Sequence, residues 1–381
     1  MLRIFVTGDN HIGLKYANHK ESADILKSKR TEAFKSMVEA ANSEECSLFV
    51  ITGDLFDSTS GIAKRDMDAV LKELADFHGT VAVLPGNHDY YDKESKKLWT
   101  DFENLLSGYD NIMLLKEYKA YEVPVGDEVA ILYPAFCTSN HSAPGQNNLG
   151  WIKDTKISDD RKYHIGIAHG AVEGETIDKK AQYFIMKREE LEAIPVDVWL
   201  LGHTHVPFPK GLDDDYTTGK DKIFNPGTHV QTDVNCNTEG LCFIIEIDDD
   251  KTIRAKKFVS GNVRFYRKTI KVTAGSMEET IKRELADIGD DSSVEIVLEG
   301  AVYEEEYNDR FRIAGEALSR FIEGNLTEDS KLCKLITKEI IDSEFSETSF
   351  AAALLGSLLD NPKEAQLAYD LIKEIKEGKV K

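Results

Sequence analysis

The sequence predicts an α/β fold over its first 265 residues, then a small α+β unit, then a helical C-terminal segment. Three observations predict it. Short apolar runs of strand length alternate with longer amphipathic stretches, the pattern of strands alternating with helices. Five of these runs end in Asp, Asn or His beside a glycine, and in open α/β sheets sites form just beyond the carboxyl ends of strands. Near Arg264 the alternation gives way to a shorter strand–helix–strand pattern and then to helical periodicity.

The predicted strands are Leu2–Thr7, Leu48–Thr52, Thr80–Leu84, Val129–Tyr133, Ile165–Ala168 and Val198–Leu201, each a run of apolar and β-branched residues. Between the early ones, Phe34, Met37, Val38 and Ala41 share one helical face, as do Met67, Val70, Leu71 and Leu74. Gly240–Ile247 and Thr252–Phe258, joined by Asp248–Lys251, read as a hairpin, which makes the sheet mixed. Thr269–Thr273, a helix over Met277–Ile288 and Ser293–Gly300 form the small unit, assigned to residues 266–325. Residues 326–381 read as helical from about 331, interrupted at Asn361-Pro362.

Composition excludes several classes. The net charge is −21, from 47 basic and 68 acidic residues, whereas a protein that coats nucleic acid by bulk charge is basic. Residues 287–329 hold thirteen acids against three arginines, so the acidity is concentrated away from the first domain. Five cysteines without CxxC spacing point to a reducing compartment and to neither a disulfide scaffold nor a zinc module. No run of 18 apolar residues exists for a membrane span, and the N-terminus lacks a signal-peptide layout. The expected location is cytoplasmic.

The strand ends carry the chemistry. Asp9 and His11 follow the first strand, Asp54 and Asp57 the second, and Asn87, His88 and Asp89 the third; His169 follows the fifth, and His203 and His205 the sixth. Carboxylate, amide oxygen and imidazole together suit divalent ions of intermediate hardness such as Mn, Fe, Zn or Co. The absence of thiolates argues against a structural zinc site. About seven donors with one shared carboxylate fit two ions at the roughly 3.5–4 Å spacing of two-metal hydrolases.

Asp9-x-His11, Gly53-Asp54-x-x-Asp57, Gly86-Asn87-His88-Asp89, His169 and Gly202-His203-x-His205 resemble the signature of the calcineurin-like metallophosphoesterases, and Asn225–His229 resembles the Asn-Pro-Gly-Ser element of that superfamily. The resemblance covers roughly residues 1–260 and implies a two-sheet sandwich flanked by helices with a dimetal site on one edge. It implies that Asp9, His11 and His205 hold one ion, that Asn87, His169 and His203 hold the other, and that Asp54 bridges them. His88 is then the group that meets the phosphate and protonates the leaving oxygen, as imidazole chemistry near neutral pH allows, and Asp89 orients its ring.

The residues after the first domain resemble the capping domain of SbcD-like DNA double-strand-break-repair exonuclease subunits. That likeness implies a Mn-dependent exo- and endonuclease acting on DNA ends in repair, a homodimer, and C-terminal helices that dock an SMC-like (SbcC-type) ATPase. Asp57 stands where related nucleases often carry histidine. It joins Lys15, His19, Lys20, Tyr90 and Tyr91, with Lys93, Lys96 and Lys97, as an expected DNA contact. Two alternatives stay open: a phosphoesterase acting on a small or cyclic nucleotide or a phosphoprotein, and a non-catalytic scaffold.

Overall fold

Side-chain alternation along the strands sets the layer order of the first unit. Leu2, Ile4 and Val6 face one side of the Leu2–Thr7 strand and Phe5 the other. Leu48 and Val50 alternate in the same way with Phe49 and Ile51, and Ala82 and Leu84 with Val81 and Val83. Both faces are apolar, so both must be covered.

The computed structural model describes residues 1–376 apart from 93–96, 127, 159–161, 175–179, 237 and 328–330. The chain divides into two compact units, Met1–Arg264 and Phe265–Lys381.

In the first unit the order of the seven-stranded sheet is Ile112–Leu114, Thr80–Val83, Leu48–Ile51, Leu2–Thr7, Leu241–Ile247, Ile253–Val259, Thr217–Thr218. Its first four strands run parallel. Leu241–Ile247 pairs antiparallel with both Leu2–Thr7 and Ile253–Val259, so the sheet is mixed and the expected hairpin is present. A five-stranded sheet runs Ile223–Phe224, Val198–Gly202, Tyr163–His169, Glu128–Ala135, Tyr121–Val125. The two sheets pack through Ile4, Val6, Val50, Ile165, Ile167 and Leu200, among others. The helices Ala23–Ser43, Lys64–Ala75 and Lys97–Leu106 cover the far face of the larger sheet with Phe34, Met37, Val70, Leu74, Trp99 and Phe102. The arrangement is the helix-flanked two-sheet sandwich that the resemblance implies. Its parallel strands point their carboxyl ends one way, which brings the five motifs to one edge.

The second unit builds its sheet on Ser292–Val302, flanked by Arg264–Thr273 and Glu323–Leu326 and also paired with Lys331–Lys334. Ile281, Leu285, Ile296, Leu298, Ile313 and Leu318 form its main core. The helical reading from residue 331 is corrected here: Lys331–Lys334 is a strand, parallel to Glu299–Val302, and the helices begin at Lys338. The boundary expected at 325/326 likewise falls inside the strand Glu323–Leu326. Four residues are too short to show a period. The helices Lys338–Glu344, Phe350–Ser357 and Pro362–Lys376 gather around Ile341, Phe345, Leu355, Ala365 and Tyr369. Among the described residues, no helix is long and apolar enough to cross a membrane.

Candidate metal centre

Four of the motif residues sit in left-handed backbone: Asp9 at φ 49°, His11 at 45°, Asp54 at 53° and His203 at 102°. Such conformations are costly for residues with a Cβ and persist only where neighbours impose them. Here the neighbours are other motif loops. Asp9 N–H donates to Gly53 O at 3.0 Å and His11 N–H to Asp54 O at 2.9 Å, which runs the first two motifs side by side. His88 N–H donates to Asp54 Oδ1 at 2.8 Å, and His203 N–H to both Asp9 carboxylate oxygens at 3.1 and 3.0 Å. Gly86 is required by close approach, because a Cβ there would run into the Asp54 carboxylate and backbone.

The donors converge in two groups. Asp9, His11 and His205 bring one ligand atom each within 4.8 Å of one another, with His11 Nε2 facing His205 Nε2 at 3.2 Å. In the second group, Asn87 Oδ1 lies 3.0 Å from His169 Nε2 and 2.9 Å from His203 Nδ1. Asp54 stands between the groups, its Oδ2 at 3.3 Å from His169 Nε2 and 3.8 Å from His11 Nε2. His169 donates Nδ1–H to Thr52 O at 2.9 Å, which leaves Nε2 as the coordinating nitrogen. All seven expected ligands are thus together, and the donors are oxygen and imidazole nitrogen only. His11 Nδ1 is buried without a hydrogen-bond partner; Asp57 Oδ1 is 3.3 Å away, outside bonding geometry.

The electrostatics call for cations. Burial pushes the Asp9 carboxyl up to about 6. Burial also opposes ionisation of Asp54, but His169, His11 and His88 outweigh it and hold that carboxyl well below its usual range. His169 responds in the opposite sense: burial lowers it, Asp54 outweighs burial, and the imidazole rises to about 9. His205 falls to about 3 through burial and the neighbouring His11. Protons on imidazoles neutralise the carboxylates in the metal-free chain, and the donor set fits a pair of divalent ions that would displace them.

His88 is exposed and lines a cleft of about 380 Å³ with His11, His205, Asp57, Leu14 and Tyr16. Its Nδ1 lies 3.1 Å from Asp57 O. The orienting role expected for Asp89 is corrected by this contact. The Asp89 carboxylate instead accepts from Gly86 N at 2.7 Å and Phe56 N at 3.0 Å, and its carbonyl accepts from Trp99 Nε1 at 2.6 Å. It braces the turn and does not touch the imidazole.

The expected DNA contacts separate. His19 and Asp57 line the cleft; Lys15 and Lys20 are exposed and adjoin the lining residues Leu14, Tyr16 and His19 in sequence without lining it. Tyr91 is corrected: its backbone N–H bonds Cys137 O, and its ring packs edge-on to Phe136 at 6.1 Å, so it is committed to the core. Tyr90 is half-buried and does not line the cleft. Lys97 is exposed, and Lys93 and Lys96 lie outside the described residues.

Two residues escaped the motif search. Arg30 is 1% exposed, and its guanidinium bonds Asp9 O at 3.2 Å. A charged residue four positions before Phe34 on an apolar helical face is the signal that would have found it. Tyr183 lies against the His203 ring, centroids 4.9 Å apart; no motif marks it.

A family model described as calcineurin-like phosphoesterase matches residues 2–207. No curated protein matches. Among solved structures, TT1561 of Thermus thermophilus is similar at 11% identity and TM-score 0.40, over 67% of this chain and 97% of that one. A dimetal phosphatase from Danio rerio is similar at 12% identity and TM-score 0.37, over 68% and 98%. An archaeal phosphodiesterase is similar at 13% identity and TM-score 0.31, over 68% and 100%.

Proposed function

Because the chain belongs to the calcineurin-like phosphoesterase family, we propose that it is a two-metal phosphodiesterase acting on DNA, a nuclease subunit in DNA repair. The observation that carries this reading is the seven-donor constellation with His88 at the cleft beside it. Asp9, His11 and His205 would hold one divalent ion, Asn87, His169 and His203 the other, and Asp54 both. Bound there, two such ions, manganese in this proposal, supply Lewis acidity toward a phosphoryl oxygen and lower the pKa of a water.

The chain's own groups do the rest. Asp57 O fixes the His88 ring through Nδ1, which leaves Nε2 to give a proton to the leaving oxygen. Lys15 and Lys20 are exposed and adjoin cleft-lining residues in sequence, and exposed cations of this kind suit a phosphate backbone. In the second unit, Phe350 is 80% exposed, and Leu367 and Ile375 are each 63% exposed, with Leu371 between them on the same helix. Exposed apolar faces of this kind mark docking sites, and this one suits the coiled coil of an SMC-like ATPase. A cytoplasmic homodimer belongs to the same proposal.

A second reading, hydrolysis of a small phosphodiester, is favoured by the net charge of −21 and by the acidic Asp57 and Asp233 in the cleft wall. One experiment tests both. The purified chain with Mn²⁺ is offered a DNA duplex, a generic phosphodiester and a phosphomonoester. DNA cleavage lost in His88→Ala supports the nuclease. Turnover of the small diester alone, unchanged by adding an SMC-like ATPase, supports the second reading. Monoester turnover alone overturns both.

A further inference from the structure

Arg30 is a buried arginine without a carboxylate. It shares the inward face of the helix Ala23–Ser43 with Leu26, Ala33, Phe34 and Met37 and is 1% exposed. Among the described residues it forms no ion pair. Its guanidinium is distributed over neutral oxygens: Nε–H donates to Asn10 O, one terminal nitrogen to Val230 O at 2.9 Å, and the other to Asp9 O at 3.2 Å and Thr228 Oγ1 at 2.8 Å. Arginine's rigid fork is suited to several fixed acceptors at once. Burying its charge among carbonyls is costly, so the contact must secure something that the fold does not otherwise hold.

What it secures is the Asp9 turn. Asp9 and His11 both have left-handed backbone, and Asp9 O receives the Arg30 N–H and lies 2.8 Å from Thr228 Oγ1. The same Asp9 carboxylate receives the His203 N–H. The loop that carries Thr228 also steadies His205. Gly227 packs so closely that a Cβ would lie 3.1 Å from the His205 carbonyl, and the Asn225 amide donates to Thr204 Oγ1. His229 Nε2–H closes the connection by donating to Arg30 O at 2.9 Å. Of the second group these bonds reach only the backbone N–H of His203, through the Asp9 carboxylate, and none reaches Asn87 or His169.

We infer that Arg30 and Thr228 are positioning residues for one half of the metal centre, holding Asp9 and His205 in ligand geometry while the Asn87–His169 half stands without them. The inference rests on the dimetal reading above. Partners beyond the ligands themselves typically change metal affinity 10- to 100-fold, so loss of this pair should weaken one ion by about that factor and leave the other.

The test is calorimetric titration of the metal-free full chain with Mn²⁺. Thr228→Val keeps the side-chain shape and removes the hydroxyl; Arg30→Met keeps the stem and removes the fork. Reference variants His205→Ala and Asn87→Ala identify the two binding events. The expected result is that Thr228→Val weakens, about 10- to 100-fold, only the event that His205→Ala abolishes, and that excess Mn²⁺ restores turnover at saturation. If Arg30→Met fails to fold, Thr228→Val alone decides. Two wild-type events in a folded Thr228→Val overturn the inference, as does equal weakening of both. A wild-type chain that binds no pair of ions overturns the dimetal reading instead.

Discussion

The ring of His88 is anchored on the backbone of Asp57, with Nδ1 3.1 Å from the carbonyl oxygen. A carbonyl only accepts, so Nδ1 carries the proton, and on the proposed reading Nε2 is the nitrogen that would exchange one with a bound molecule. The contact is made by main chain, so it survives changes to the Asp57 side chain. It also links two motifs 31 residues apart, making the orientation of this imidazole a property of the sheet edge.

His88→Ala should keep both ions and lose diester turnover by about 10²–10⁴-fold, the usual contribution of a positioned acid. Steady-state kinetics with Mn²⁺ and elemental analysis of the purified variant check this. Loss of metal together with activity would contradict the role.

Asp89→Ala should act on stability. It strips the acceptor from two buried N–H groups, Gly86 and Phe56, at a cost of about 2 kcal/mol or more. Asp89→Asn keeps one acceptor oxygen and should cost less. Urea unfolding of the three proteins measures the order. Equal stability across them would leave the turn without the brace assigned here.

Acid should loosen the first unit through His229. Burial and the nearby Arg30 hold its imidazole well below the ordinary value, so the folded chain keeps it neutral while the unfolded chain takes up a proton below about pH 6.5. The unfolded state then binds more protons, and stability falls as pH falls, by about 1.4 kcal/mol per pH unit from this one group. His229→Gln should flatten the pH dependence of unfolding between pH 6.5 and 5, about the range set by the unperturbed histidine. An unchanged slope would assign acid sensitivity elsewhere.

Metal uptake near neutral pH should release protons. Burial lowers His169, but Asp54 more than reverses this and raises the imidazole to about 9, so at pH 7 it holds a proton that coordination must displace. Titrations in buffers of different ionisation enthalpy count the protons. Affinity should rise with pH up to about 9. Removing the ions should lower the melting temperature, since a ligand at 100 times its Kd adds about 2.7 kcal/mol.

Leu367→Asp with Leu371→Asp should leave the fold intact. Both side chains are exposed, and surface changes of this kind stay within about 0.5 kcal/mol. The variant should unfold like the wild type while losing association with the coiled-coil base of an SMC-like ATPase. Retained association would move the docking face elsewhere.

The five strand-end motifs were legible because donor type is fixed by metal chemistry and position by the end of an apolar run. Arg30 was legible in principle, as a charge on the face shared by Leu26 and Phe34. Other features were not. Ile112–Leu114 and Ile223–Phe224 are too short to show a period. Tyr121–Val125 is masked by Pro124, which is tolerated because the strand lies at the sheet edge. Asp89 and Tyr91 were misassigned for a common reason: loop side chains take their direction from distant partners, here Phe56, Trp99 and Phe136, and nothing local in Asn87–Tyr91 names them.

The expected ligands run from Asp9 to His205 in sequence, and the Arg30 clamp closes on Thr228 and Val230. During synthesis the strand that presents Asp9 emerges early and His11 follows it directly, yet His205, the third donor of that half-site, emerges only after Val198–Gly202. A nascent chain that stops short of residue 205 carries both ligand carboxylates, Asp9 and Asp54, and His88 but cannot close the first half-site. On the proposed reading, incomplete products on the ribosome and fragments cut before His205 would lack a complete centre, without a separate inhibitor.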